Sequence, residues 1–317
     1  MSRNLLSIRH LKADDINDLL NVAGTYKKQI EAGKPIANVP KRTVGLLFFE
    51  ASTRTRVSFE QAANYLGYNV SVFAAQSSSL SKGETLKDTV LTLKGERLEA
   101  LVIRHKSSGS PQLAARFFGG PIVNAGDGEH EHPTQALGDA LTILEKRKSI
   151  KGLKVAIVGD VLHSRVARSN AWLLSKLGAE VRFVGPKILM PASNALLPGM
   201  IYNDLLPGIQ DCDVVMCLRL QKERMADGLL SSIGQYRRLY QINKETLKIA
   251  APDCLVMHPG PINRGVEVDD WAADGPQSVI QKQIENGIFV RMAALSWVFT
   301  DKAKPKAAKP KAKGAKA

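Results

Sequence analysis

Short apolar runs recur along the chain, and most are followed by a stretch whose apolar positions repeat at helical spacing. Thr43-Val-Gly-Leu-Leu-Phe-Phe49 predicts a buried strand, and the polar turn after it leads into a helix beginning near Thr53. That helix carries Val57, Phe59, Ala62, Ala63 and Leu66 and stops at Gly67, a residue suited to a helix C-terminus. Residues 69–74 predict a strand, 76–82 a serine-rich loop, 84–93 a helix, and 100–103 a strand ending at Arg104. The second half repeats the theme. Strands are predicted at 153–158, 180–184, 212–218 and 254–257, with a helix over 164–177 closed by Gly178. A long helix over 133–148 joins the halves, and a C-terminal helix over 278–299 is expected to pack back on the first. Strands alternating with helices predict an α/β chain of two domains, each a parallel sheet flanked by helices, the second Rossmann-like. The expected boundaries are 1–135, completed by a helix over 278–300, then 136–277, then a tail over 301–317.

Composition narrows the function classes. The 317 residues are 44% hydrophobic and 23% charged, which is a globular balance. No apolar run reaches the roughly 18–20 residues that span a bilayer. The N-terminus lacks the apolar region and cleavage site of a signal peptide. Three cysteines, Cys212, Cys217 and Cys254, form no CxxC pair, so neither a disulfide framework nor a zinc site is suggested and a cytoplasmic home is expected. The net charge of +14 suggests nucleic acid until it is located. Seven lysines lie between Lys302 and Lys316 among alanine, proline and one glycine, a run that cannot bury a core and reads as a disordered, solvated tail. Weak binding to polyanions is the alternative reading of that tail.

The densest chemistry lies in Glu50-Ala-Ser-Thr-Arg-Thr-Arg56, between a predicted strand and a predicted helix. The first N–H groups of a helix lack internal partners and point outward at the positive end of its dipole. Hydroxyls from Ser52, Thr53 and Thr55 and the guanidinium of Arg54 would join them around a phosphate. Simple N-capping by Ser52 or Thr53 explains one hydroxyl. It does not explain three hydroxyls interleaved with two arginines.

Further along, Arg104 stands at the C-terminal end of a strand, where ligands of α/β proteins bind. His130 and His132 flank Glu131, a pair that could hold a metal, but no third ligand pattern accompanies them. Arg165 opens a predicted helix after the strand that ends Val-Gly-Asp160, and Arg219 follows another strand. Forked guanidiniums at such positions suit planar carboxylates. Val158-Gly-Asp160 is not a GxGxxG, so a dinucleotide is not expected. His258-Pro-Gly-Pro261 predicts a stiff turn in which a cis bond is plausible.

Ser52-Thr-Arg-Thr-Arg-x-Ser-Phe-Glu60 resembles the carbamoyl-phosphate signature of the aspartate and ornithine carbamoyltransferases, and the likeness can be followed from about Leu5 to Phe299. The resemblance implies that Ser52, Thr53, Arg54 and Thr55 bind the phosphate of carbamoyl phosphate. It implies that Arg104 contacts phosphate and carbonyl oxygen, that His132 donates to the carbonyl oxygen, and that Gln135 holds the carbamoyl amide. Ser81-Lys-Gly-Glu-Thr85 looks like the family's mobile loop, whose lysine, here Lys82, reaches a neighbouring subunit's site; Ser78 or Ser79 would match the serine before it. A homo-oligomer, most simply a trimer, is therefore expected. Arg165, Arg219 and Gln221 match aspartate-binding positions, and the backbone of Gly260 and Pro261 matches the part that positions amide and amine. The His-Cys-Leu-Pro and Ser-Met-Gly features of ornithine enzymes are absent, so L-aspartate is the expected acceptor. Ile262 stands where aspartate enzymes often carry arginine, and Arg264 is the candidate to replace it. The implied 1–135 unit would hold carbamoyl phosphate and 136–277 aspartate. The product would be N-carbamoyl-L-aspartate, an early intermediate of pyrimidine biosynthesis, made without metal, nucleotide or other cofactor. The resemblance leaves room for association with a regulatory chain or a dihydroorotase.

Overall fold

The computed structural model describes residues 3–36, 39–74, 84–220 and 232–300. Two sheets are built entirely from parallel pairs. The first contains β1 (Thr43–Phe48), β2 (Asn69–Ala74), β3 (Ala100–His105) and β4 (Ile122–Asp127) in the order β2-β1-β3-β4. The second contains β5 (Lys154–Val158), β6 (Glu180–Val184), β7 (Met200–Tyr202), β8 (Val214–Cys217) and β9 (Leu255–Met257) in the order β7-β6-β5-β8-β9. Helices cover both, namely α1 (Ala13–Glu31), α2 (Thr53–Tyr65), α3 (Leu86–Gly95), α4 (Ser110–Phe118), α5 (Pro133–Arg147), α6 (Arg165–Lys176), α7 (Leu205–Ile209), α8 (Ile233–Tyr240), α9 (Asp270–Asp274) and α10 (Ile280–Trp297). The expected α/β class with two helix-flanked parallel sheets is what forms. Strands buried on both faces read as unbroken apolar runs, which is why β1, β3, β5 and β8 were legible.

β4 was not legible. Its sequence, Ile-Val-Asn-Ala-Gly-Asp, is half polar, yet every residue is buried. The cost of burial is offset locally, because the Asn124 side chain donates to Leu6 O at 2.9 Å and to Asp127 Oδ1 at 2.7 Å. α3 begins two residues later than predicted, because the Thr85 side chain caps it by accepting from the Asp88 amide.

Chain order places the site. β1 has β2 on one side and β3 on the other, and β5 has β6 on one side and β8 on the other. Where strand order reverses, the connections leave in opposite directions and open a crevice beyond the strand C-termini. Glu50 and the start of α2 follow β1, and Arg104 is the penultimate residue of β3. Asp160 to Arg165 follow β5, and Arg219 follows β8. α5 links the sheets, while α10 packs against α5, α1 and α2. One continuous apolar cluster runs from Leu5 to Val298 through both sheets. Among the described residues no helix is long and apolar enough to cross a membrane.

Candidate active site

The two crevices face one cavity of about 840 Å³. Ser52, Thr53, Arg54, Thr55, Arg104, His132, Gln135, Arg165, Arg219, Gly260 and Pro261 all line it. Lys82 and Gln221, like Ser78 and Ser79, lie outside the described residues. Arg264 does not line the cavity. It is tied to Asp270 at 2.7 Å and to Asp274 at 2.7 and 2.8 Å, so the structure gives it a surface role instead of the contacts expected of a replacement for Ile262.

At the start of α2, Ser52 is the N-cap residue by backbone conformation, yet its side chain makes no capping bond. The hydroxyl is thus not consumed by the bland role that sequence allowed it, and it remains on the cavity wall beside the helix N–H groups. Thr55 is buried at 7% exposure. Arg54 makes no hydrogen bond or ion pair among the described residues. Partial desolvation, then the field of Arg219, holds its guanidinium below the ordinary range. Gly260 sits with φ +65° across from Arg54, and a Cβ there would collide with the guanidinium. Glycine lets the turn after β9 come this close. The Gly260–Pro261 bond is cis.

Glu50 was quoted in the motif but given no role, and it proves central. Its Oε1 accepts from Arg104 Nη2 at 2.5 Å and Arg165 Nη2 at 2.6 Å, and its Oε2 accepts from Arg165 Nη1 at 2.9 Å. Burial would push this carboxyl up, but the Arg165 hydrogen bonds and the two guanidinium fields outweigh it and hold it below the usual carboxylate range. Arg104 is brought down to about 10 by burial first and by Arg165 second, with Glu50 pulling the other way.

Arg291 was missed altogether. It comes from α10, lines the cavity, donates to Ser58 Oγ at 2.9 Å and lies over the Phe59 ring at 5.3 Å. Burial lowers it to about 10. The available signal was one arginine inside the apolar run Phe289-Val-Arg-Met-Ala-Ala-Leu295. His132 is 4% exposed, its amide donates to Ser169 Oγ at 2.8 Å, and its Nδ1 has no partner among the described residues. Burial, then the fields of Arg104, Arg165 and Arg291, hold it well below the ordinary histidine range, so the ring is neutral. His130 instead faces the Asp127 carboxylate, at 3.1 and 3.2 Å. Glu131 turns inward to accept from the Ile8 amide and from Ser169 Oγ. Among the described residues no group of three His, Cys, Asp or Glu is placed to hold a metal ion.

Six cationic side chains (Arg54, Arg104, Lys106, Arg165, Arg219, Arg291) face three carboxylates (Glu50, Glu129, Asp160) across this cavity. The surplus positive charge, partly withdrawn from water, favours anionic ligands, and a helix N-terminus favours a tetrahedral one.

Known proteins agree with that chemistry. The family profile for the aspartate/ornithine carbamoyltransferase carbamoyl-P binding domain matches residues 3–145, and the one for the Asp/Orn binding domain matches residues 151–298. The aspartate carbamoyltransferase catalytic subunit of Brucella anthropi is 51% identical over 306 residues, covering 96% of this chain and 94% of that one. That of Brucella ovis is 50% identical over the same span. The crystal structure of aspartate transcarbamoylase from Trypanosoma cruzi in complex with N-(phosphonacetyl)-L-aspartic acid superimposes with a TM-score of 0.85 at 33% identity, covering 94% of this chain and 96% of the other. Ornithine carbamoyltransferase from Pyrococcus furiosus gives 0.84 at 32% identity, covering 93% and 96%. With both profiles matched and half the positions identical to such relatives, this chain belongs to the aspartate/ornithine carbamoyltransferase family.

Proposed function

We propose that the cavity transfers the carbamoyl group of carbamoyl phosphate to the amine of L-aspartate, giving N-carbamoyl-L-aspartate and phosphate for pyrimidine biosynthesis. The observation that carries this reading is the sharing of one cavity by the α2 N-terminus with Arg54 and Arg104, and by Arg165 and Arg219 from the other sheet. The first set suits a phosphate and the second a dicarboxylate.

Carbamoyl phosphate binds first, its phosphate against Ser52, Thr53, Arg54, Thr55 and Arg104. Aspartate follows, its carboxylates on Arg165 and Arg219 with Gln221 beside them. The neutral amine attacks the carbonyl carbon, and negative charge builds on the carbonyl oxygen opposite His132, Arg104 and Thr55. A neutral His132 can donate there without a proton changing hands. Each well-placed donor to such an oxyanion contributes roughly 2.7–4 kcal/mol. Breaking the carbonyl–oxygen bond expels phosphate, which carries off the amine proton. Gln135 and the backbone of Gly260 and Pro261 hold the amide, and fixing both reactants supplies much of the remaining acceleration.

Ornithine would bring a second ammonium into a cavity already lined by six cations, which disfavours it as acceptor. The matching assay offers carbamoyl phosphate with aspartate or ornithine to full-length and tail-free protein. Carbamoyl aspartate should form and carbamoyl ornithine should not; the reverse outcome overturns the reading. Lys82 completes the site from a neighbouring subunit of a trimer. The three free, buried thiols suit a reducing cytoplasm.

A further inference from the structure

The cavity wall is dominated by donors: guanidiniums, hydroxyls and helix N–H groups. Carbamoyl phosphate differs from a simple acyl phosphate in one group, an NH2 that can only donate. A site that selects it needs acceptors aimed at that NH2, and Gln135 is a side chain on the wall able to supply one. An amide offers either end, so something must decide which end faces the cavity.

Asp139 lies one turn further along α5, fully buried. Its Oδ1 accepts from Gln135 Nε2 at 2.9 Å and from Gln283 Nε2 at 2.8 Å, and its Oδ2 accepts from Asn170 Nδ2 at 2.8 Å. An ionised carboxylate accepts only, so it draws the NH2 end of each amide to itself and turns the oxygen ends away. For Gln135, which lines the cavity, Oε1 is the end that Asp139 does not hold. For Gln283 the freed Oε1 accepts the His258 amide at 2.9 Å, which anchors the turn carrying Gly260 and Pro261. His258 continues the chain of constraint, since its Nδ1 accepts from the Gly260 amide at 2.7 Å and its Nε2 meets buried Glu267 at 3.1 Å.

We propose that Asp139 is a positioning residue that orients the Gln135 amide and, through Gln283, the 258–261 turn, so that both present oxygen to the carbamoyl NH2 and the site prefers a carbamoyl over an acetyl phosphate. This rests on the function proposed above. Burial pushes the Asp139 carboxyl above the usual carboxylate range, against the pull of the three amide donors and Arg291. With a proton on Asp139 the carboxyl could donate to Gln135 and reverse the amide, so the ionised form is the working one.

Acetyl phosphate, with CH3 in place of NH2, is the probe, and inorganic phosphate is the control. Asp139→Asn keeps the shape but places an NH2 among three donors, forcing an amide to flip. The expected result is a 10- to 100-fold loss of carbamoyl phosphate affinity, roughly the effect of leaving one buried polar group unpaired, with phosphate and acetyl phosphate affinities within threefold of wild type. Equal losses for all three ligands, or an unchanged carbamoyl preference, overturn the proposal. Neutron diffraction of deuterium-exchanged wild-type crystals reads the Gln135 amide directly whether or not the variant folds; Oε1 directed at Asp139 overturns it. A wild type that makes no carbamoyl aspartate, yet holds the amide as described, sinks the functional reading and leaves the orientation standing.

Discussion

Glu50 and Arg165 meet as a two-pronged ion pair, with contacts of 2.6 and 2.9 Å, and they come from different sheets. Glu50 follows β1 and Arg165 opens α6 after β5, so the pair is a strut across the crevice that also reaches Arg104. The carboxylate occupies the guanidinium proposed to receive aspartate. It either competes with substrate or holds the arginine ready.

The second alternative is the one expected. Without Glu50, Arg104 and Arg165 face each other with nothing between them. Glu50→Gln should lower kcat/KM for aspartate roughly 10- to 100-fold, the scale of losing one partner of a half-buried charged network. A fall in KM for aspartate would show that Glu50 is a competitor.

Arg54 and Arg219 are proposed to serve different ligands, although the field of Arg219 reaches Arg54. Arg54→Ala should weaken carbamoyl phosphate and inorganic phosphate binding about 100-fold, the loss of one or two charge-assisted bonds. Arg219→Ala should raise KM for aspartate by a similar factor and leave phosphate affinity nearly untouched. Titration calorimetry with phosphate, run beside steady-state kinetics, separates the two. Matching losses in both variants would mean that the arginines form one anion site.

His132 links the site to acid sensitivity. Its folded pKa lies well below the ordinary value. Below about pH 6.5 the unfolded chain therefore binds a proton that the native state refuses, and stability falls as pH falls. As the pH falls below that value this residue should cost stability at up to about 1.36 kcal/mol per pH unit. Urea unfolding of His132→Gln should be less sensitive to acid by that amount. Equal pH dependence in both proteins would show that the ring protonates in place.

The proposed sharing of sites between subunits is open to complementation. Subunits carrying Lys82→Ala and subunits carrying Arg54→Ala should each be nearly inactive, and trimers mixed from both should regain part of the activity. Well-formed hybrids with none would exclude a shared site.

Local chemistry was readable because its causes are local. The strand–turn–helix around Ser52 to Thr55 declares itself through an apolar run, a polar turn and a helical period, all within about twenty residues. The same holds for Arg104, marked by ending a buried strand, and for Arg165 and Arg219, each marked by following one. What stayed hidden depends on partners far away in sequence. Glu50 takes its meaning from Arg165, Arg291 from Ser58, and Asp139 from Gln283 and Asn170. The buried asparagine of β4 is satisfied in part by the distant Leu6 carbonyl. The sequence by itself determined the apolar strands, the helices that follow them and which cations end up at strand termini, since backbone period and turn chemistry are short-range. Only the tertiary structure decided which carboxylate neutralises which guanidinium and which way each buried amide turns. Those choices follow from burial, where an unpaired polar group costs more than the local chain can repay.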